Sequence, residues 1–193
     1  MSEVGRRTAA EAARAIADAL SAAGYDYAIG GALALGVAGV PRGTKDVDIN
    51  LFVGKDELGG AIDVLAALGI ELSPEHALAR AERDGMFVGV WDGMRVDVFV
   101  PSIPFSHEAG ETVRVITIDG WTGRFLAPEA IALFKLLFFR LKDRGDLERL
   151  VAVRGADLDH AYVRRWIVEM MGEDDERSRA WDDIVARFGP HDG

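Results

Sequence analysis

The chain has 193 residues, of which 49% are hydrophobic and 28% are charged. This length and composition predict a globular protein with one packed core, or a compact core with an appended helical part, and argue against wholesale disorder. The absence of cysteine excludes disulfides, thiolate zinc sites and a cysteine nucleophile. The 22 Lys and Arg residues against 32 Asp and Glu leave a formal charge of −10, which argues against general coating of nucleic acid.

No apolar run approaches the roughly 20 residues that a membrane helix needs. The best candidate, residues 130–139, contains Lys135. Near the N-terminus, Glu3, Glu11 and Asp18 interrupt what would have to be the apolar stretch of a signal peptide. We therefore expect a cytoplasmic protein that does not engage a membrane.

Hydrophobic periodicity predicts a mixture of helices and strands up to about residue 125. A short apolar strand runs into Gly30-Gly31, and Asp92-Gly93 is the strongest hairpin signal in the sequence. The predicted elements are helices over 8–23, 32–39 and 56–68 and strands over 25–29, 46–53, 86–91, 95–100 and 112–118.

Strand signals stop after Phe125. Apolar residues spaced three and four apart between 130 and 141 predict a helix behind Pro128, and two more helices are predicted over 157–171 and 174–188. The sequence thus predicts an α+β (α/β) fold with a mixed β-sheet flanked by helices. Its core would comprise residues 1–125, and a C-terminal helical part would comprise residues 126–193.

The glycine pair Gly30-Gly31 lies between a predicted strand and a predicted helix. A strand-to-helix turn made of glycines exposes backbone N–H groups that can hold phosphate oxygens. The alternative is a turn with a structural role alone.

Asp46 and Asp48 are two residues apart on a predicted strand, so their carboxylates point to the same face. Asp97 has a similar setting on another strand, and a sheet that placed the two strands side by side would bring three carboxylates together. Oxygen ligands without His or Cys favour Mg²⁺ or Mn²⁺. The alternative is a solvated strand face.

Lys135 shares a row of its predicted helix with Ile131 and Phe139, next to the large apolar stripe. A lysine in such a setting is only partly solvated and needs an anionic partner. The alternatives are a phosphate contact and a lysine whose ammonium reaches solvent at the edge of the core.

Two glycines, fourteen further residues and the run Asp46-Val47-Asp48-Ile49 together resemble the signature of the DNA polymerase β-like nucleotidyltransferase superfamily. Arg42, Thr44, Asp46 and Asp48 match its RxTxDxD variant. The segment 126–147 resembles that of the abortive-infection (AbiEii-like) branch, which includes toxins of bacterial toxin–antitoxin pairs. The residues that carry this second match are Leu126, Ala127, Pro128, Glu129, Lys135, Lys142, Asp143, Asp146 and Leu147.

The resemblance implies a nucleotidyltransferase-like fold and the metal-dependent transfer of a nucleoside monophosphate from an NTP to an acceptor hydroxyl. It implies that the three aspartates hold the metal ions, with Asp97 also the candidate general base. Arg42 and Lys135 would stabilise the leaving pyrophosphate. The residues implied to bind nucleotide are Gly30, Gly31, Arg42, Thr44, Lys135 and Asp146.

The resemblance leaves the acceptor open. In the toxin branch the acceptor would be the end of a tRNA, and a cognate antitoxin would be the protein partner. In related resistance enzymes it would be a hydroxyl of an aminoglycoside-like small molecule, but those enzymes carry Trp where this sequence has Ala32. A non-catalytic antitoxin or interaction module with the same fold is the alternative from another class.

Overall fold

The computed structural model describes residues 7–190, so Glu3 lies outside the described part of the chain. The chain divides into two compact units. The first consists of the residues up to 33 together with 43–126, and the second consists of 34–42 together with the residues from 127 onward. A helix that begins in the first unit, α2 (Gly31–Val37), continues into the second.

In the described part of the chain, the first unit contains a six-stranded mixed sheet. Its strand order is β3-β4-β2-β1-β6-β5, in which β2 pairs in parallel with β4 and β1 pairs in parallel with β6. The other three neighbouring pairs are antiparallel. The strands are β1 (Tyr27–Ile29), β2 (Asp46–Leu51), β3 (Met86–Trp91), β4 (Met94–Phe99), β5 (Arg114–Ile118) and β6 (Trp121–Phe125).

Among the described residues, four helices belong wholly to the first unit: α1 (Ala9–Ala22), α3 (Lys55–Ala67), α4 (Pro74–Asp84) and α5 (Pro104–Glu111). A capping box starts α1, since the Glu11 N–H donates to the Thr8 hydroxyl and Glu11 accepts from the Thr8 N–H. Alternation along β2 sends Val47, Ile49 and Leu51 into the core, where each is 0% exposed. This buried row fixes the positions of the polar side chains between them.

The second unit is helical. Up to residue 190 its helices are α6 (Pro128–Phe138), α7 (Leu141–Arg154), α8 (His160–Met171) and α9 (Glu176–Phe188), with a 3₁₀ turn over Gly155–Asp157. Its core is formed by apolar side chains that each helix contributes from one face. The fully buried members include Leu133, Leu136, Leu147, Leu150, Val163, Ile167 and Trp181.

The structure confirms the predicted fold class, a mixed sheet with flanking helices followed by helices alone. It adds α4, α5 and α7, which the sequence analysis did not predict. It also ends the helix predicted over 130–141 at Phe138, because Phe139 adopts a left-handed conformation (φ 51°) and terminates α6. None of the helices among the described residues is long and apolar enough to cross a membrane.

Candidate metal and nucleotide site

Three aspartates lie on two neighbouring strands of the first unit. β2 and β4 pair in parallel with Asp48 opposite Asp97 and with Asp46 opposite Arg95. Adjacent strands are about 4.8 Å apart, and residues two apart on a strand share a face. The three carboxylates and the Arg95 side chain therefore lie on one face of the sheet.

The three aspartates differ in how far they are buried. Asp46 is exposed and Asp48 is half-buried, while the Asp97 side chain is only 16% exposed. Their strand neighbours Val47 and Val96 are both 0% exposed. The packed valines hold the backbone, so the carboxylates keep a fixed spacing along the two strands.

The glycine turn lies directly against Asp48. The Gly30 N–H donates to the Asp48 backbone carbonyl at 2.9 Å. A Cβ on Gly31 would overlap the Asp48 carboxylate, and one on Gly30 would lie 2.6 Å from the Asn50 amide nitrogen. Gly31 also has φ +54°, a conformation that favours glycine. Glycine at both positions thus allows the turn to approach Asp48 and Asn50 closely.

Thr44 shapes the entry to β2. Its hydroxyl donates to the Asp46 carbonyl at 3.1 Å and accepts from the Asp46 N–H at 3.2 Å. These local bonds fix the backbone where the first aspartate begins the strand. The contribution of Thr44 to nucleotide binding stays a prediction.

Arg95 is a functional candidate that the sequence analysis missed. Its Nε donates to Asp97 Oδ2 at 3.0 Å, and its Nη2 lies 2.7 Å from Asp97 Oδ1. The hydrogen bond to Asp97, with the charges of Asp97, Asp46 and Asp48, raises the pKa of Arg95 above its ordinary value. The available signal was the strand alternation itself, which places Arg95 on the same face as Asp97.

The donor chemistry of this face fits a hard divalent cation. Carboxylate oxygens are the ligands that Mg²⁺ and Mn²⁺ prefer. Asp97 Oδ1 is buried and accepts no hydrogen bond, despite its close approach to Arg95. Among residues 7–190, however, no three Asp, Glu, His or Cys side chains are arranged as a site that could hold a metal ion. The carboxylates share a face, and Asp97 is engaged by Arg95.

Three other predicted site residues meet in the second unit. Lys135 is buried and its Nζ lies 2.6 Å from Asp146 Oδ2 and 3.4 Å from Asp143 Oδ1. Arg42 Nε donates to the same Asp146 oxygen at 3.2 Å, and Arg149 Nη2 donates to Asp146 Oδ1 at 3.0 Å. The anionic partners that Lys135 was expected to need are thus two aspartates of this chain.

Asp143 joins this network to the start of α7. It accepts from the Arg140 backbone N–H at 3.2 Å and from Arg140 Nε at 2.6 Å. Burial acts to raise the pKa of Asp143, but the hydrogen bonds from Arg140 and the charge of Lys135 outweigh it and hold the pKa below its ordinary value. Asp143 is therefore ionised in the folded protein at neutral pH.

The structure thus divides the predicted site residues into two groups. Within the first unit it brings Gly30, Gly31, Asp46, Asp48 and Asp97 together, with Thr44 at the entry to β2. Within the second unit it joins Arg42, Lys135 and Asp146 through ion pairs.

Comparison with solved structures identifies the fold. It is similar to an antigenic nucleotidyltransferase-like protein from Paracoccidioides brasiliensis, at 15% identity and a TM-score of 0.50, with 89% of this chain and 92% of that chain covered. It is also similar to the antibiotic-resistance factor ANT(2'')-Ia, at 18% identity and a TM-score of 0.55, with 81% of this chain and 91% of that chain covered. The chain has a nucleotidyltransferase-like fold.

The nucleotidyltransferase-like fold agrees with the superfamily resemblance drawn from the glycine pair and the paired aspartates. No family model matches the sequence, and no curated protein matches it either. The toxin branch therefore stays a prediction.

Proposed function

We propose that this chain is a metal-dependent nucleotidyltransferase that moves a nucleoside monophosphate from an NTP to an acceptor hydroxyl. The observation that supports this most directly is the pairing of Asp48 with Asp97 on adjacent strands, with the Gly30-Gly31 turn against Asp48. This arrangement occurs within a nucleotidyltransferase-like fold.

Asp46, Asp48 and Asp97 are the residues that would hold Mg²⁺ or Mn²⁺. When bound, such a cation neutralises phosphate charge and lowers the pKa of a coordinated hydroxyl. Asp97 would accept the proton of the acceptor hydroxyl. The acceptor oxygen then forms a bond to the α-phosphorus, and the bond from that phosphorus to the leaving pyrophosphate breaks.

Backbone N–H groups of the glycine turn would orient the phosphates, apart from that of Gly30, which donates to the Asp48 carbonyl. No serine hydroxyl is present at this turn, so the main chain alone supplies donors there. The proposed roles of Arg42, Lys135 and Asp146 in nucleotide binding rest on the sequence resemblance, because in the structure Arg42 and Lys135 each form an ion pair with Asp146.

For the acceptor we propose an RNA hydroxyl, such as the end of a tRNA, with a cognate antitoxin as the protein partner. The match of 126–147 to the toxin branch supports this choice, as does Ala32 in place of the Trp of the small-molecule enzymes. The fold similarity to the antibiotic-resistance factor ANT(2'')-Ia supports a second candidate, a hydroxyl of an aminoglycoside-like compound.

The experiment is incubation of the protein with each α-labelled NTP and Mg²⁺, in parallel with total tRNA, with an aminoglycoside, or with buffer alone. Label on the RNA supports the proposed acceptor, and label on the aminoglycoside supports the second candidate. Label on the protein indicates self-modification. No label in any arm contradicts the enzyme and favours a binding module with this fold.

A further inference from the structure

We propose that Arg95 is a built-in counter-cation of the aspartate face, which holds Asp97 in the metal-free protein and leaves it when a divalent cation binds. Arg95 would thereby set the metal affinity of the site. This inference rests on the proposed function, because it concerns the cation which that function requires.

The position of Arg95 supports this role. It lies opposite Asp46 in the register of β2 and β4, and two residues before Asp97 on the same strand. One guanidinium thus serves three carboxylates that would otherwise repel one another. The hydrogen bond to Asp97 and the charges of Asp97, Asp46 and Asp48 stabilise the charged guanidinium and raise the pKa of Arg95.

The contact between Arg95 and Asp97 uses both carboxylate oxygens. Nε donates to Oδ2, whereas Nη2 approaches Oδ1 at 2.7 Å without the geometry of a hydrogen bond. Carboxylate oxygens held by a guanidinium are poorly available to a metal ion, which also demands close approach. On this proposal, the Arg95 guanidinium occupies Asp97. This would explain why the three carboxylates share a face and yet form no metal site among the described residues.

Arg95 is also able to leave. Its side chain is 52% exposed, while that of Asp97 is 16% exposed. Ion pairs with an exposed partner are weak, because water solvates the released group at little free-energy cost. A divalent cation that attracts all three aspartates can therefore displace the guanidinium, whose charge then faces solvent.

The first test is Mn²⁺ affinity, measured by electron paramagnetic resonance on metal-free protein. Arg95→Met should bind Mn²⁺ about fivefold more tightly than wild type, since the metal no longer competes with an ion pair. Arg83→Met is the matched control. It removes the same charge from the first unit, but Arg83 pairs with Asp84 and not with the three aspartates. The Mn²⁺ affinity of Arg83→Met should therefore equal that of wild type. Equal or weaker binding by Arg95→Met would overturn the inference.

The second test observes the displacement itself. The Nε–Hε signal of Arg95 is identified in a nitrogen–proton correlation spectrum by its absence from Arg95→Met. Saturating Mg²⁺ should move this signal towards the position of a solvated arginine. A signal that stays in place at saturation would show that Arg95 remains on Asp97, and it would overturn the inference even if the affinity changes.

These outcomes separate the two proposals. If wild type and Arg95→Met bind Mn²⁺ equally well, the counter-cation role fails and the nucleotidyltransferase proposal stands. If neither protein binds Mn²⁺, both fail together.

Discussion

At Gly31 a single missing side chain determines how closely the glycine turn approaches Asp48. A Cβ there would overlap the Asp48 carboxylate, and the residue that carries it would have to adopt φ +54°. We predict that Gly31→Ala lowers the free energy of unfolding by about 2–3 kcal/mol, from backbone strain and overlap together. Urea denaturation measures this loss.

Gly120→Ala is the control for Gly31→Ala. Gly120 has φ +78° but open space around its Cβ position, so its substitution costs only the backbone strain, about 1 kcal/mol. Equal losses for the two variants would show that the glycine turn does not press against Asp48.

The buried pair Lys135–Asp146 gives a second prediction at this scale. Removing one member of the pair should lower the free energy of unfolding more than removing the other. Lys135→Met leaves Asp146 paired with Arg42 and Arg149. Asp146→Leu leaves Lys135, among the residues that the structure describes, with the longer ion pair to Asp143. We predict that Asp146→Leu destabilises by about 3–5 kcal/mol and that Lys135→Met destabilises by less.

The double variant completes a cycle with these two. With both charges of the pair removed, it should recover about 1–3 kcal/mol relative to Asp146→Leu in urea denaturation. Additive losses would mean that the two side chains do not interact in solution.

The lowered pKa of Asp143 predicts a pH dependence of the unfolding free energy. Its pKa in the folded protein lies below its ordinary value, for the reasons given above. A carboxyl of this kind adds stability above its unfolded-state pKa of about 3.9, and the contribution is lost as the pH falls through the lower folded-state pKa. We therefore predict that Asp143→Asn flattens the fall of unfolding free energy below about pH 4.

Exposed Asp63, on α3, supplies the control for this pH series. Asp63→Asn should retain the slope of wild type when unfolding free energy is measured from pH 7 down to pH 2. Parallel curves for wild type and Asp143→Asn would contradict the assigned role of Asp143.

At the scale of elements, α1 depends on its first turn. Thr8 and Glu11 satisfy each other's backbone N–H groups there. We predict that Thr8→Ala destabilises the protein by about 1 kcal/mol, while Thr8→Ser retains the hydroxyl and stays near wild type. Thermal or urea unfolding compares the two, and equal stability of all three proteins would refute the cap.

The strands around the candidate site were predictable from alternation alone. Val47, Ile49, Val96 and Val98 give a clear period of two, and the structure buries all four. The face of the aspartates follows from the same period. Their convergence required knowledge of which strands pair, because β2 and β4 are separated by β3 and two helices in the sequence.

The missed elements lack such signals. α4 buries only Ala77 and Ala81, so its apolar stripe is too thin to detect, and α5 is eight residues long. The break after α6 lies at Phe139, where neither glycine nor proline marks the left-handed residue. The apolar spacing continues to Leu141, so periodicity predicts a helix that runs past this break, and it does not predict α7.

The ion-pair network was beyond prediction for a different reason. Arg42 and Asp146 are 104 positions apart. Sequence spacing carries no information on such a contact, and a lysine on an apolar helix gives no indication of whether its partner is a ligand or an aspartate. The resemblance named these residues, but the structure was needed to show that they pair.

At the scale of the whole molecule, the formal charge of −10 does not oppose a phosphate substrate. Part of that charge is concentrated on one sheet face, where a bound divalent cation would neutralise the excess of the three carboxylates over the Arg95 guanidinium. The net charge therefore agrees with NTP as the substrate as long as a metal ion accompanies it.

The central claim is that the aspartate face of β2 and β4 transfers nucleoside monophosphates. Its most direct test is the rate of transfer of label from an α-labelled NTP to total tRNA in Mg²⁺, compared among wild type, Asp48→Ala and Asp63→Ala. We predict that Asp48→Ala loses about 10²-fold or more in rate, with its fold retained, and that Asp63→Ala equals wild type. An Asp48→Ala protein that transfers label at the wild-type rate would contradict the claim.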